Sequence, residues 1–257
     1  MQRVAAHRRG PGQRQRWAMP ELRNLILASL PRRTYESLLP GLTPVNLVFG
    51  EVLHEPGRPM RHVYFPVEGL VSMLTVVKGR SALEVAMVGR EGMVGVPLAL
   101  GVARTRMRAM VQGSGVALRM SRSRFAASME HSPPLRKALL SYVDSLMVQI
   151  ARTAACNRFH VVQARLARWL LMSRDRSGSG DFKMTQEFLS SILGVRRVGV
   201  SAAASAFQSR KLIEYSRGRI RILDHAGLEA ACCACYGNEP GTLPPWRPAA
   251  TVRSLTS

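Results

Sequence analysis

The residue types best suited to chemistry in this chain are arginines and small polar side chains between residues 183 and 221. Eight basic and two acidic residues occupy this stretch. Arginine can pair bidentately with the O6 and N7 atoms of guanine, and it also neutralises phosphates. The stretch therefore favours contact with nucleic acid. The candidate side chains are Thr185, Gln186, Arg196, Arg197, Ser201, Ser205, Gln208, Arg217 and Arg219.

These side chains need a scaffold, and the pattern around them predicts a helix-turn-helix. Thr185 is a good N-cap for a first helix, and Gly194 suits the left-handed backbone of the turn that follows. A second helix is predicted near residues 196–208. Its N-terminal end, with Arg196 and Arg197 first, would enter the major groove of double-stranded DNA.

Two short strands are predicted directly after the second helix. They span residues 212–215 and 220–223, and the turn between them carries Arg217 and Arg219. Arginines on such a turn suit phosphates, which position a protein on DNA without reading its sequence. A helix-turn-helix followed by this hairpin is a winged helix, so we predict that the chain binds double-stranded DNA.

The net charge of the chain indicates the same class of partner. Lys and Arg number 37 against 16 Asp and Glu, which gives a formal charge of +21. Strong positive charge favours polyanions, although a soluble basic surface or an arginine-rich genome would also produce it. No apolar run reaches the ~18 residues that a membrane span needs, and no secretory signal is convincing. We expect a cytoplasmic protein that has no membrane partner.

Changes in hydrophobic pattern divide the chain into the segments of an α+β protein. Short β-rich runs alternate with Gly and Pro from residue 44 to about 121, as in a β-roll of the jelly-roll type. From residue 134 the hydrophobic period becomes helical. We expect a disordered basic arm at 1–19, a β-roll at 20–130, a long helix at 131–157, a winged helix at 158–236 and a disordered tail at 237–257.

The long helix is predicted to carry an apolar stripe. Leu139, Val143, Leu146 and Ile150 follow one another at steps of three and four residues. A stripe of this kind needs a partner surface. It can pack on the β-roll of its own chain, or on a second copy in a coiled-coil seam.

Four cysteines do not make a disulfide framework in a chain of 257 residues. Cys232, Cys233 and Cys235 lie together, and the first and third have the C-x-x-C spacing of a metal or redox pair. A zinc site would need two further ligands, and only His225 is close in sequence. A terminal helix that packs small residues is the simpler interpretation, so we predict no bound metal; thiol-based redox sensing is the alternative.

Four stretches together resemble one family of bacterial proteins. They are GREGMVG at 89–95, ACNR at 155–158, ARWLL at 167–171 and LGVRR at 193–197. With the predicted order of β-roll, long helix and winged helix, they look like the Crp–Fnr transcription regulators, in a subgroup with a divergent sensor domain. The resemblance implies a cyclic-nucleotide-binding-like sensor in the β-roll, a homodimer through the long helix, and a palindromic operator. The candidate dimerisation residues are then those of the apolar stripe, Leu139, Val143, Leu146 and Ile150.

The chain departs from this family in the cassette that binds the cyclic phosphate. The cassette begins with Gly-Glu, and an Arg-Ser or Arg-Thr pair follows about eleven residues later. The best gapless placement sets Val96 at the Glu and Arg106-Met107 at the later pair. Loss of the carboxylate removes a charge-assisted contact of about 1.5–3 kcal/mol, so we do not expect a response to cyclic AMP. Arg106 and the nearby Glu91 remain the candidate effector-binding residues.

No other group of residues predicts catalysis or a cofactor. The chain has no nucleophile elbow, Walker loop or metalloprotease motif, so we expect no catalytic residue and no enzyme activity. The Fnr branch builds its iron–sulfur centre from N-terminal cysteines, and no cysteine precedes Cys156 here. His62 is a candidate haem ligand, but its place beside aromatic residues in a strand favours a structural role. A module whose main role is sensing a small molecule is the alternative function, and RNA polymerase is a further candidate partner.

Overall fold

The computed structural model describes residues 24–76, 82–177 and 179–237 of the chain. The predicted arm at 1–19 and the predicted tail beyond Gly237 lie outside these residues. Within them, no helix is both long enough and apolar enough to cross a membrane.

Two antiparallel sheets form the predicted β-roll. One sheet has the strand order β1-β7-β3, and the other has the order β2-β6-β4-β5. Side chains such as Phe65, Val71 and Val111 are buried in one core between them, because alternate residues of a strand point to the same face. The strands are β1 (Thr43–Leu47), β2 (Val52–His54), β3 (His62–Pro66), β4 (Leu70–Thr75), β5 (Leu83–Val88), β6 (Arg108–Gly113) and β7 (Gly115–Ser121).

Short helices flank the β-roll, and one long helix leaves it. The long helix, α5, begins at a capped end, where the Ser132 side chain accepts a hydrogen bond from the backbone N–H of Leu135 at 3.3 Å. It spans 27 residues and packs one face on the β-roll of its own chain. The helices are α1 (Leu25–Ala28), α2 (Arg32–Leu38), α3 (Val96–Ala99), α4 (Arg122–His131) and α5 (Pro133–Phe159).

A second hydrophobic core follows α5 and belongs to the winged helix. Four helices pack around a small sheet with the strand order β8-β10-β9, and Leu170, Val200 and Ile220 are fully buried among them. The sequence predicted β9 and β10 but not β8, because three residues are too few to show an alternating pattern. The elements are α6 (Val162–Ser177), β8 (Asp181–Lys183), α7 (Gln186–Leu193), α8 (Arg197–Ser209), β9 (Ile213–Ser216), β10 (Arg219–Ile222) and α9 (His225–Ala230).

Buried polar contacts join the two domains through α6. Trp169 Nε1 donates to Glu84 Oε1 at 2.9 Å, and Arg176 Nε donates to Glu91 Oε1 at 3.0 Å. Both acceptors belong to the β-roll. Burial raises the pKa of Glu84 to about 7, although the hydrogen bonds from Ser72 and Trp169 oppose that change. The winged helix is therefore docked on the sensor domain by specific side chains as well as by apolar packing.

Candidate nucleic-acid interface

The helix-turn-helix has the local geometry that its sequence predicts. The Thr185 hydroxyl caps α7 by accepting a hydrogen bond from the N–H of Phe188 at 3.1 Å. Gly194 ends that helix with a φ of +62°, where a side chain would be strained. Leu189 and Val200 are completely buried between the helices. The predicted cap at Thr185 and the predicted left-handed turn at Gly194 are confirmed.

The start of α8 presents basic side chains to solvent. Arg196 occupies the N-cap position, and Arg197 is the first residue of the helix. Both are exposed, and so is Val198, with 71% of its surface accessible. The free N–H groups at a helix N-terminus also favour an anion such as phosphate. This end of α8 can therefore meet DNA with charge, hydrogen-bond donors and one apolar side chain for a thymine methyl group.

A cleft separates the start of α8 from the hairpin between β9 and β10. Its volume is about 350 Å³, and its basic residues come from both sides, with Arg197 on the helix and Arg217 on the hairpin. Five of the nine residues that the sequence singled out line this cleft, so the fold brings together side chains that lie far apart in sequence. The lining residues are Thr185, Gln186, Arg197, Gln208, Tyr215, Arg217 and Gly218.

Some of the predicted side chains are engaged inside the protein. The Ser201 hydroxyl donates to Gln186 Oε1 at 2.6 Å, and Gln208 Nε2 donates to the backbone carbonyl of Tyr215 at 3.2 Å. Tyr215 in turn donates its hydroxyl to the carbonyl of Met184 at 2.9 Å. These bonds tie α7, α8 and the hairpin into one rigid surface. Sequence reasoning missed Tyr215, because nothing local to its strand shows the contact with Met184.

The hairpin turn separates two arginines with different surroundings. Arg217 and Gly218 form the turn with φ values of +48° and +73°, as in the type I′ turns of tight hairpins. Arg217 is exposed at the tip. Arg219 instead forms two hydrogen bonds to Asp181 at 2.9 and 3.2 Å, and this contact lowers the pKa of the Asp181 carboxyl. Arg217 is therefore the better phosphate ligand of the two.

The two candidate effector residues lie in different surroundings. Arg106 is exposed on the loop before β6. The carboxylate of Glu91 is buried, accepts hydrogen bonds from Arg176 and from the N–H of Gly89, and lies at the contact between the domains. The structure therefore corrects the sequence interpretation of Glu91, because an effector would have to displace Arg176 to reach it.

The predicted dimerisation stripe is also corrected in part. Leu139 and Leu146 are 0% and 6% exposed and pack in the core of their own β-roll, so they cannot contact a second copy. Val143 and Ile150 remain partly exposed. Leu139 and Leu146 therefore pack on the β-roll of their own chain, which is one of the two arrangements that the sequence left open. Val143 and Ile150 keep some exposed surface for the other arrangement, contact with a second copy. The exposed large apolar side chains of α5 are Leu140 (47%), Met147 (64%) and Phe159 (75%).

Comparison with known families identifies both domains. The cyclic nucleotide-binding domain matches residues 44–132, and the Crp-like helix-turn-helix domain matches residues 164–231. No curated protein sequence matches the chain significantly.

Solved structures share the whole arrangement of domains. FixK2 from Bradyrhizobium japonicum is 16% identical, with a TM-score of 0.64, and the match covers 75% of this chain and 98% of that one. A transcriptional regulator of the CRP/FNR family from Thermus thermophilus is 21% identical, with a TM-score of 0.60 and coverage of 74% and 97%. The c-di-GMP-responsive global regulator CLP from Xanthomonas campestris is 16% identical, with a TM-score of 0.61 and coverage of 75% and 99%.

Proposed function

Because the chain belongs to the Crp–Fnr family of DNA-binding transcription regulators, we propose that it binds a two-fold symmetric operator as a homodimer. The observation that carries this proposal is the basic cleft between α8 and the hairpin. In a winged helix, the second helix of the helix-turn-helix enters the major groove. Arg197 at its start then faces base edges, while Arg217 at the hairpin tip faces the phosphate backbone.

The exposed face of α5 supports the homodimer. Leu140, Met147 and Ala154 lie seven residues apart, and Val143 and Ile150 follow the first two after three residues. Apolar residues at this heptad spacing form the seam of a two-stranded coiled coil. The adjacent face of the helix, which carries Leu139 and Leu146, is packed on the β-roll, and Ile150 borders that packed face. One helix can therefore hold its own sensor domain and a second copy at the same time.

The β-roll supports a sensor that does not respond to cyclic AMP. Val96 and Met107, which stand where the family's cassette has a carboxylate and a hydroxyl, pack against the β-roll core. Arg106 is exposed, and Glu91 is held by Arg176. Residues 44–132 match the cyclic nucleotide-binding domain. This match supports a second candidate function, in which the main role of the protein is to sense another small molecule. A regulator of this kind acts in the cytoplasm, without catalysis; contact with RNA polymerase stays a prediction.

In-vitro selection of bound duplexes from a random pool tests this function directly. The selection is run at moderate salt, with and without cyclic AMP. We expect enrichment of a motif with two-fold symmetry, and the same motif and affinity in both arms. A motif that emerged only with cyclic AMP would overturn the interpretation of the cassette. Binding without any motif, lost as salt rises, would mean that net charge alone attracts the DNA.

Substitution of Arg197 by alanine should weaken binding to the selected operator and relax the preference at one base pair. The expected cost is about 1–3 kcal/mol for each half-site, a factor of roughly 5 to 150 that multiplies over the two half-sites of the operator. The matched variant is Arg217→Ala, which should weaken binding to all sequences alike and flatten the salt dependence. Titration of operator and scrambled duplexes at several salt concentrations separates the two effects. An unchanged base preference in Arg197→Ala would refute the docking of α8.

A further inference from the structure

Four side chains that commonly bind metals meet where α5 ends. They are Cys156, His160, Cys233 and Cys235, and their ligand atoms all lie within 4.8 Å of one another. Cys156 Sγ is 3.5 Å from Cys233 Sγ, and His160 Nδ1 is 3.7 Å from Cys235 Sγ. We propose that these four side chains bind one Zn²⁺ ion.

The fold explains why residues more than seventy positions apart meet here. Cys156 and His160 lie one helical turn apart at the C-terminal end of α5, where the His160 N–H bonds to the Cys156 carbonyl at 3.1 Å. The segment after α9 returns to this point and brings Cys233 and Cys235. The sequence interpretation considered His225 as a ligand, but that side chain instead contacts Arg174 at 2.6 Å.

The spacing of the ligand atoms suits one tetrahedral ion. Zn–S bonds of about 2.3 Å and a Zn–N bond of about 2.0 Å place neighbouring ligand atoms about 3.5–3.8 Å apart in a tetrahedron. The two distances of 3.5 and 3.7 Å fall in this range. Three cysteines and one histidine are also a common ligand set of structural zinc sites. The small separation favours a single ion at the centre over a cluster with two irons.

The surroundings complement the charge of such a site. Three thiolates, a neutral imidazole and Zn²⁺ carry one net negative charge. Arg165 and Arg168 line the same small cavity as Cys156, with a volume of about 30 Å³, and Arg168 Nε donates to the Cys235 carbonyl at 3.3 Å. Basic groups and hydrogen bonds around the ligands stabilise a metal centre of this charge. Partial exposure of His160, Cys233 and Cys235 leaves a path for the ion to enter.

The site lies where α5 passes into the winged helix. His160 directly follows α5, two residues before α6 begins. Cys233 and Cys235 belong to the last described segment of the winged helix. An ion bound to all four side chains would therefore hold the end of α5 against that segment. That segment is also held without metal, because Tyr236 donates its hydroxyl to Asp175 at 2.9 Å. The ion would therefore act as a clamp on the junction between the two parts, and variants without it should still fold.

Metal content of the full-length protein tests the proposal without any DNA. The chain is purified under reducing conditions from zinc-supplemented medium, dialysed, and analysed by elemental mass spectrometry. We expect one zinc per chain. Replacement by Co²⁺ should give the visible absorption of a tetrahedral cobalt–thiolate site. Each of Cys156→Ser, Cys233→Ser and Cys235→Ser should lose the bound zinc and the cobalt spectrum, with far-ultraviolet circular dichroism unchanged.

Cys232→Ser is the matched control, because Cys232 is the neighbouring cysteine that is not among the four clustered side chains. Its thiol donates to the Ala164 carbonyl oxygen at 3.8 Å and also interacts with the Cys233 thiol. It should keep the full zinc content. Equal loss of zinc in Cys232→Ser, or a metal-free protein after zinc supplementation, would refute the site. So would a Cys156–Cys233 disulfide in the reduced, zinc-supplemented protein, detected by intact-mass analysis, or bound iron in place of zinc. None of these readouts depends on operator binding. Absence of the zinc site would therefore not refute the proposed DNA-binding function, and absence of operator binding would not refute the zinc site.

Discussion

Substitution of Arg176 by methionine is expected to lower the free energy of unfolding by about 3–5 kcal/mol, because it leaves a buried carboxylate without its partner. Arg176 and Glu91 are each 5% exposed at the side chain and lie 3.0 Å apart. Glu91 also accepts from the N–H of Gly89 at 3.0 Å. A buried ion whose partner is removed retains the full cost of its desolvation, whereas the intact pair offsets most of that cost.

Urea unfolding at neutral pH measures this loss, with far-ultraviolet circular dichroism and tryptophan fluorescence as two independent probes. Arg174→Met is the matched control on the same helix. Its side chain is partly exposed and contacts His225 at 2.6 Å, so its loss should cost about 1 kcal/mol. Equal effects of the two substitutions would contradict a special role for the buried pair.

The double variant Glu91→Leu with Arg176→Met distinguishes pairing from packing. Replacement of a buried ion pair by apolar side chains is often neutral or stabilising, so the double variant should recover most of the loss. The affinity of the double variant for DNA then shows whether the Arg176–Glu91 contact couples the state of the β-roll to DNA binding by the winged helix. If the double variant were as unstable as Arg176→Met alone, the lost energy would come from the arginine's other contacts, such as the 3.3 Å bond to the Met172 carbonyl.

Local patterns in the sequence were sufficient to predict the fold. Thr185 and Gly194 mark the ends of α7 because capping and positive φ depend on one residue and its neighbours. The alternation of β-rich runs with Gly and Pro predicted the β-roll for the same reason. The three-residue β8 was missed, since its strand character comes from pairing with β10 and not from its own residues.

Contacts between distant segments could not be predicted in this way. Glu91 lies near the cassette in sequence, yet its partner is on α6, 85 residues away. Cys156 and His160 gave no metal pattern with the C-terminal cysteines, because only the return of the chain after α9 brings them together. Each of these groups became interpretable only when the packing of the two domains was known.

In the long helix, the sequence could not show which of two neighbouring residues packs on the β-roll and which faces outward. Its apolar stripe predicts that the helix packs against something, but an α-helix turns about 100° per residue. Two partners on adjacent faces therefore use positions that differ by a single step. Leu146 faces the β-roll at 6% exposure, and Met147 faces outward at 64%. The sequence assigned Leu146 to the dimer, while the structure gives that position to the core.

Substitution of Met147 by aspartate should therefore dissociate the dimer and leave each subunit folded. In a two-fold seam, position 147 meets its own copy. Two carboxylates facing each other there would cost several kcal/mol. A cost of about 3 kcal/mol or more corresponds to at least a hundredfold rise in the dimer dissociation constant. Sedimentation equilibrium measures that constant, and operator binding should fall with it.

Two further variants separate the seam from the fold. Ser141→Asp adds the same charge at an exposed position of α5 outside the heptad seam, and it should remain dimeric. Leu146→Asp places a carboxylate in the β-roll core, so it should unfold the sensor domain and appear as aggregated or poorly soluble protein. A Met147→Asp protein that stayed dimeric would remove this face of α5 from the interface. A folded but monomeric Leu146→Asp protein would instead support the dimerisation residues that the sequence first suggested. A charge at a core position unfolds the subunit, so only a substitution outside the core can dissociate the dimer and leave each subunit folded.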